Sequence, residues 1–168
     1  MAPPNRLPDM TNSPMPVWKN GAIANDGLNL VPMAEYVASN RDLGTAPVLA
    51  AGDDLDVLLE AVGGDLSTLE TIALEFPSFA DGRSYSKAQL LRDAHGYEGE
   101  IRAVGDVLPD QVDLMLRVGF DALEASHPVT RERMESGQIG LDARHTQVAP
   151  ASQNERASDE RFSWRRFG

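Results

Sequence analysis

The sequence predicts an α/β fold, with a small parallel sheet of about four to five strands, covering helices and an N-terminal β-hairpin. Two observations carry this prediction. Continuous apolar runs of strand length alternate with helical patterns of about ten residues, which is typical of parallel strands joined by right-handed crossovers. Glycine and proline mark the ends of these segments, so each strand and its helix occupy roughly 20 to 30 residues.

The N-terminal part predicts an arm, a hairpin and a short helix. Residues 1–16 contain five prolines among polar residues, and this composition favours a disordered arm. Asn20-Gly21 lies between two short β-type runs, and Asn-Gly is the strongest short-range hairpin signal. Pro32 to Ala38 predicts a helix that covers the hairpin or an edge of the sheet, since proline is favoured in a first helical turn.

Three strand-and-helix units follow. Their strands are predicted at Pro47–Ala51, Leu69–Phe76 and Glu100–Gly105, because these apolar runs have strand length. Ser84 or Ser86 is predicted to cap the second helix. The apolar faces of the three helices are predicted to be Leu55, Leu58, Leu59 and Val62, then Leu90, Leu91 and Ala94, and finally Val112, Leu116 and Val118.

A fourth apolar run, Phe120–Leu123, continues the sheet. Beyond it the patterns predict a short helix at Val129–Glu135 and a last strand near residues 146–148. The predicted organisation is therefore a single α/β domain over residues 17–148, between the arm of residues 1–16 and a flexible tail of residues 149–168.

The length of the chain restricts the arrangement of the sheet. A full eight-unit barrel needs about 250 residues, and this chain has 168. Two arrangements remain, an open three-layer sheet and a partial barrel completed by a second subunit. A homodimer is therefore left open.

Composition excludes several classes of function. The chain has 26 acidic and 15 basic residues and a net charge of -11, which argues against nucleic acid or an anionic membrane surface as a partner. It has no cysteine, and therefore no disulfide, thiol nucleophile or cysteinyl iron-sulfur cluster. No apolar run reaches the roughly 18 to 20 residues of a membrane span or resembles a signal peptide, so we expect a cytoplasmic protein.

Candidate functional residues concentrate where the strands end. Parallel strands point the same way, so the loops after them meet at the carboxyl edge of the sheet, where ligands bind in such folds. This rule brings together residues 52–54, 79–86, 105–106 and 124–127.

The loop of residues 80–86 has the highest density of polar groups. Arg83 can bind a phosphate, sulfate or carboxylate with two parallel hydrogen bonds, and Ser84 and Ser86 lie where free helical N–H groups favour an anion. These three residues are the predicted anion-binding site. The alternative is that Asp81 and Arg83 pair with other loops, that one serine only caps the helix, and that Tyr85 packs on the surface.

The candidate catalytic residues are Asp81, Arg83, Tyr85 and Asp106. Two carboxylates at one edge would shift each other's pKa, and Glu124 is a further candidate for this acid-base role. Asp106 equally fits an ordinary first-turn acid that the helix dipole favours.

No metal or cofactor is expected. The three histidines, His95, His127 and His145, have no metal-ligand spacing. The glycine-rich signatures of dinucleotide and nucleoside-triphosphate sites and the serine-hydrolase elbow are absent from the sequence.

The stretch from Phe76 to Glu124 carries the triplet Asp81-Gly82-Arg83, then Tyr85-Ser86, and the run Arg102–Leu108. With these residues it closely resembles the core of a bacterial family catalogued as domain of unknown function nine-three-four. The resemblance covers most of residues 17–125 and is expected to fade beyond about His127.

This resemblance implies an accessory role in assimilatory sulfate and sulfite reduction. Members of the family are typically encoded beside the sulfite reductase haemoprotein and are often labelled oxidoreductases, but no catalytic residue transfers to this sequence. Pro109 stands where the family more often has a basic residue. Val118 stands where a cysteine is frequent, which argues against a redox-thiol mechanism.

Two functions are compatible with these observations. The first is a non-catalytic accessory protein that binds sulfite reductase or another pathway protein through its acidic surface and the aromatic tail of residues 162–167. The second is a small enzyme or anion-binding protein whose site comprises Asp81, Arg83, Tyr85 and Asp106. Side chains of the carboxyl edge that face one open pocket would favour the second function, whereas use of Arg83 in buried internal pairs would favour the first.

Overall fold

The fold is seen in a computed structural model, which describes residues 15–19, 21–39 and 44–139. The strands are β1 (Val17–Lys19), β2 (Ala22–Ala24), β3 (Asn29–Pro32), β4 (Thr45–Leu49), β5 (Thr71–Phe76), β6 (Glu100–Gly105) and β7 (Ala122–Ala125). The α-helices are α1 (Met33–Ala38), α2 (Leu55–Ala61), α3 (Arg83–Gln89), α4 (Val112–Val118) and α5 (Pro128–Glu135). The predicted α/β class is confirmed.

All the strands belong to one sheet, in the order β2-β1-β7-β6-β5-β4-β3. The five strands from β3 to β7 are mutually parallel, while β1 runs antiparallel to both β2 and β7. Each parallel strand lies beside the next one in the chain, so right-handed crossovers place the connecting helices on a single face. This order corresponds to the predicted partial-barrel-like sheet, while its completion by a second subunit stays a prediction.

The sheet is strongly curled. Ala24 ends β2 at one edge and Asn29 begins β3 at the other, and five residue steps reach at most about 18 Å. The outer strands of a flat seven-stranded sheet would lie about 29 Å apart, at about 4.8 Å per neighbouring pair. The two edges therefore approach each other, although no ladder joins them into a closed barrel.

The main core lies between the sheet and its helices. Ile72, Leu74 and Phe76 point from β5 to this side and are fully buried with Leu91, in the turn that follows α3, and with Met115 of α4. Both faces of β5 are covered, since all six of its residues are buried. This double burial explains why Ile72–Leu74 is a continuous apolar run instead of an alternating pattern.

The other side, which we call the inner face, is lined mainly by small residues. Leu30, Ala46, Ala73 and Val104 form a separate buried cluster there. Alanine suits this position because curling brings the side chains of the inner face close together. A charged residue, Arg102, is also buried on this face, with an exposed fraction of 1%.

Most predicted elements are confirmed. The hairpin forms with Trp18 opposite Ile23, Glu100–Gly105 has the predicted bounds, and α4 ends at Gly119 in the left-handed conformation, with φ 109°. β3 was not predicted. β4 begins earlier than expected, and Pro47 lies within it.

The predicted face of the second helix is partly wrong. Leu91 is fully buried, but Leu90 is 50% exposed and Ala94 is also exposed. Residues Leu90–Ala94 form a π-helical turn, which widens the helix and rotates its buried face. The buried stripe is instead Ser84, Lys87, Ala88 and Leu91.

Several predictions concern residues outside the described ranges. These are most of the arm of residues 1–16, the strand near residues 146–148, and the tail of residues 149–168. Within the described ranges, no helix is both long and apolar enough to cross a membrane.

Candidate functional site

The carboxyl edge of the sheet brings together the loops that the sequence grouped. Phe76 at the end of β5 is level with Gly105 of β6, and Gly105 is level with Ala125 of β7. The backbone N–H of Asp106 donates to the Phe76 carbonyl over 2.8 Å, and that of Ser126 donates to the Gly105 carbonyl over 2.8 Å. The predicted site residues therefore start from neighbouring strand ends.

Asp81 and Arg83 pair with each other. Nε of Arg83 donates to Oδ1 of Asp81 over 3.0 Å and Nη2 donates to Oδ2 over 2.6 Å. These hydrogen bonds hold the pKa of Asp81 at about 2 and raise the pKa of Arg83. The Arg83 side chain is 62% exposed, and its Nη1 would lie 3.8 Å from a Cβ added to Gly52. The guanidinium therefore reaches the loop after β4 while its charge is neutralised by Asp81.

Neither predicted serine caps α3, so that prediction is wrong. The N-cap is Gly82, which has no side chain to cap with, and the carboxylate of Asp81 accepts the N–H of Arg83 over 3.1 Å instead. Ser84 is fully buried, and its hydroxyl donates to the Glu75 carbonyl over 2.6 Å. Ser86 is exposed on the outer side of the helix. The three predicted anion-binding residues thus point in different directions.

Tyr85 packs among aromatic rings. Its ring centroid lies 5.1 Å from that of Phe76 and 6.3 Å from that of Phe120, both edge-on. The hydroxyl is shielded from solvent and has no hydrogen-bond partner, and this burial, together with the charge of Asp110, raises the pKa of Tyr85. Tyr85 therefore belongs to the core behind the loops.

Two ionisable groups of this edge escaped the sequence analysis, Glu75 and Lys87. The Lys87 ammonium donates to the carbonyls of Ala50 and Ala51 over 2.5 and 3.0 Å, and burial lowers its pKa. Burial, then the charge of Asp53, raises the pKa of Glu75. Lys87 continues the buried stripe of α3 from Ser84, and Glu75 alternates with the core residues of β5. These spacings are the only sequence signals for them.

A charged network surrounds Arg102 on the inner face. Arg102 donates to Oε1 of Glu100 over 2.9 and 2.7 Å and to Oε2 of Glu124 over 3.3 Å, and it also pairs with Asp26. Lys19 pairs with Glu100 from the neighbouring part of the sheet. Burial raises the pKa of Glu124 although Arg102 opposes this shift. All charges in this network have partners, so it is well suited to hold the curled sheet together.

Two cavities of about 450 Å³ each lie at the opposite, amino edge. One is bounded by the loops before β5 and β6, and the other opens onto the inner face beside Lys19, Asp26 and Glu100. Both are bounded by Glu70. Among the described residues, no three His, Asp or Glu side chains are grouped so that they could hold a metal ion.

Comparison with known proteins supports the resemblance seen in the sequence. The sequence model of the bacterial proteins of unknown function DUF934 matches residues 49–154, which is more than half of the chain. The match includes every predicted site residue, and it continues beyond His127, where we expected the resemblance to fade. No curated protein and no solved structure matches the chain. The chain therefore belongs to DUF934, a bacterial family of unknown function.

Proposed function

We propose that the protein is an accessory protein of assimilatory sulfate and sulfite reduction, and that it binds sulfite reductase or another protein of that pathway. The pathway comes from the family resemblance of the sequence. The mode of action is supported by one observation on the structure, which is the unbalanced acidic surface of the described residues.

Most of the cations among the described residues are engaged by other groups of the protein. Lys19, Arg83, Arg92 and Arg102 pair with carboxylates, and Lys87 binds backbone carbonyls. Many carboxylates, in contrast, are exposed without such a partner. They include Asp54, Asp56, Glu60, Glu98, Asp110, Glu132 and Glu135. A surface of one sign attracts a partner of the opposite sign and accelerates its association.

The state of the predicted anion site also favours binding of a protein over catalysis. The carboxylate of Asp81 already pairs with the guanidinium of Arg83, and the hydroxyl of Ser84 already donates to the Glu75 carbonyl. An anion entering this loop would have to compete with a carboxylate that is already in place. Such competition is costly, because bidentate Arg–carboxylate pairs are among the stronger hydrogen-bonded contacts.

The second candidate, an anion-binding protein or small enzyme with its site at the Asp81–Arg83 loop, is favoured by a single observation. Nη1 of Arg83 reaches the loop that contains Gly52. The guanidinium therefore lies between that loop and its own loop of residues 80–86. Thermal unfolding with sulfite, sulfate or phosphate tests this candidate, since a ligand of the folded state raises the midpoint. An increase that is lost in Arg83→Ala would support it.

A pull-down from cells grown on sulfate tests the proposal. The tagged protein should retain a named protein of sulfite reduction at low salt and release it at high salt, because screening weakens attraction between exposed charges. A strain lacking the gene should grow poorly on sulfate and recover on cysteine. Normal growth on sulfate, together with no retained pathway protein, would contradict the proposal.

A further inference from the structure

One of the two cavities of about 450 Å³ lies at the amino end of the inner face. Thr71 and Glu100, the first residues of β5 and β6, are paired across the ladder, and both bound this cavity. Lys19 at the end of β1 and Asp26 in the connection between β2 and β3 bound it from the other side, and Leu28 adds an apolar wall. A volume of this size is within the range of small-molecule sites.

The hydroxyl of Thr71 has no hydrogen-bond partner among the described residues, although Thr71 is only 9% exposed. Other buried hydroxyls are engaged, since those of Ser84 and Thr130 donate to backbone carbonyls. The Tyr85 hydroxyl is also unpaired, but it is sealed from solvent, whereas Thr71 bounds the cavity. Buried polar groups are normally paired, so an unpaired hydroxyl beside a cavity indicates a partner from outside the chain.

The boundary of this cavity carries more negative than positive charge. It contains three carboxylates, those of Asp26, Glu70 and Glu100, and one ammonium, that of Lys19. Lys19 pairs with Glu100, and Asp26 pairs with the buried Arg102. Glu70 is exposed, and no cation of the described residues lies within ion-pair distance of it. The unengaged carboxylate of Glu70 therefore makes the cavity attractive to a cation.

We propose that this cavity binds a small organic amine through its primary ammonium group. Such a group has three N–H donors and can bind the carboxylate of Glu70 and the hydroxyl of Thr71 together. Its carbon chain can lie against Leu28. A metal ion is less suitable, because no three His, Asp or Glu side chains of the described residues are grouped to hold one. The site goes beyond the accessory function and does not depend on it.

An NMR titration of the full, isotope-labelled chain tests the site, with n-butylammonium chloride as the probe at constant ionic strength. Tetramethylammonium chloride is the reference, because it has the same charge but no N–H group to donate. We expect saturable shifts of the amide signals of Leu28 and Thr71. The probe should bind at least about tenfold more tightly than the reference, because only the probe can form charge-assisted hydrogen bonds.

Two variants separate binding from folding. Thr71→Val removes the unpaired hydroxyl and should weaken binding by at least about threefold. Its thermal midpoint should not fall, because the hydroxyl has no partner in the described protein and valine favours a strand. Glu70→Gln should weaken binding by at least about fivefold. The matched control is Glu98→Gln, which removes an exposed carboxylate that bounds only the neighbouring cavity and should change binding by less than about twofold.

The proposal would be overturned by the absence of saturable binding up to about 20 mM probe, or by equal affinity for the probe and the reference. Unchanged binding in Thr71→Val would also overturn it. Equal weakening in Glu70→Gln and Glu98→Gln would do the same, because the amine would then bind in the neighbouring cavity or to the surface charge. The titration contains no other protein, so its failure is distinct from failure of the accessory function.

Discussion

Asp26 and Arg102 form an ion pair although they are 76 residues apart in the sequence. Asp26 lies in the short connection between β2 and β3, which joins the two edges of the sheet, and Arg102 lies in the middle of β6. The pair therefore attaches this connection to the inner face. The guanidinium of Arg102 also forms ion pairs with Glu100 and Glu124.

The first prediction concerns this network. Arg102→Ala should lower the free energy of unfolding by about 3–5 kcal/mol, because Glu100 and Glu124 would remain buried without their counter-charge. Asp26→Asn should cost only about 1 kcal/mol or less, since the Asp26 side chain is 38% exposed. Urea denaturation of both variants measures the difference. Equal losses in the two variants would show that Arg102 does not organise the inner face.

The fold could be predicted from the sequence where one local signal dominates. Glu100–Gly105 has the length of a strand and ends at a glycine, and the Asn-Gly turn specifies the hairpin. The signal failed at Leu90, because a π-helical turn changes the period on which the prediction depends. The sequence predicts that Pro47 begins a strand, because proline has no backbone N–H to donate. In the structure Pro47 lies inside β4, where it pairs with Val31 of β3.

The site was predictable only to the level of its loops. The carboxyl-edge rule placed the loops of Asp81, Arg83 and Asp106 at neighbouring strand ends, as the structure has them, but it cannot tell which polar groups already have partners inside the protein. Ser84 illustrates this, since its pattern fits a cap and its hydroxyl instead binds a backbone carbonyl of β5. Glu75 and Lys87 were missed because the spacing that places them next to buried residues is equally compatible with an exposed charged side chain.

The second prediction concerns pH. The pKa of Glu75 is raised by burial in the folded protein, so the folded state binds more protons than the unfolded state between the two pKa values. The free energy of unfolding should therefore fall as the pH rises through this window. Glu75→Gln should lose less stability than the parent protein as the pH rises from the ordinary carboxyl pKa of 4.5 through the raised pKa of Glu75. The control is Glu60→Gln, which removes the same charge from the exposed side of α2.

The third prediction concerns the Asp81–Arg83 pair. The hydrogen bonds from Arg83 hold the pKa of Asp81 at about 2, against an ordinary value of 3.8, and Arg83→Gln should raise it towards the ordinary value. Carboxyl carbon chemical shifts in an NMR titration report this pKa directly. Arg117→Gln removes an exposed charge elsewhere and should leave the titration unchanged. An unaltered Asp81 titration in Arg83→Gln would mean that the pair does not persist in solution.

The fourth prediction concerns the contact between β5 and β6 at the carboxyl edge. Gly105 has φ 104°, and a Cβ at this position would lie 2.5 Å from the Phe76 carbonyl oxygen. Gly105→Ala should therefore destabilise the protein by about 3 kcal/mol or more, through backbone strain and steric overlap together. Gly63→Ala is the control, because Gly63 also has a positive φ, of 68°, but nothing within 4 Å of the added Cβ. It should cost only about 1–2 kcal/mol.

The most direct test of the proposed accessory function is a titration of the purified protein with purified sulfite reductase haemoprotein. We expect saturable binding at about 50 mM salt that weakens at least about tenfold at about 500 mM salt, because screening removes the attraction of the acidic surface. Substitution of the exposed carboxylates Asp54, Asp56 and Glu60 by their amides maps the contribution of one helix to this binding. Saturable binding with this salt dependence is the result that the proposed function predicts. No binding at low salt would contradict sulfite reductase as the partner, and binding that is indifferent to salt would contradict recognition through the acidic surface.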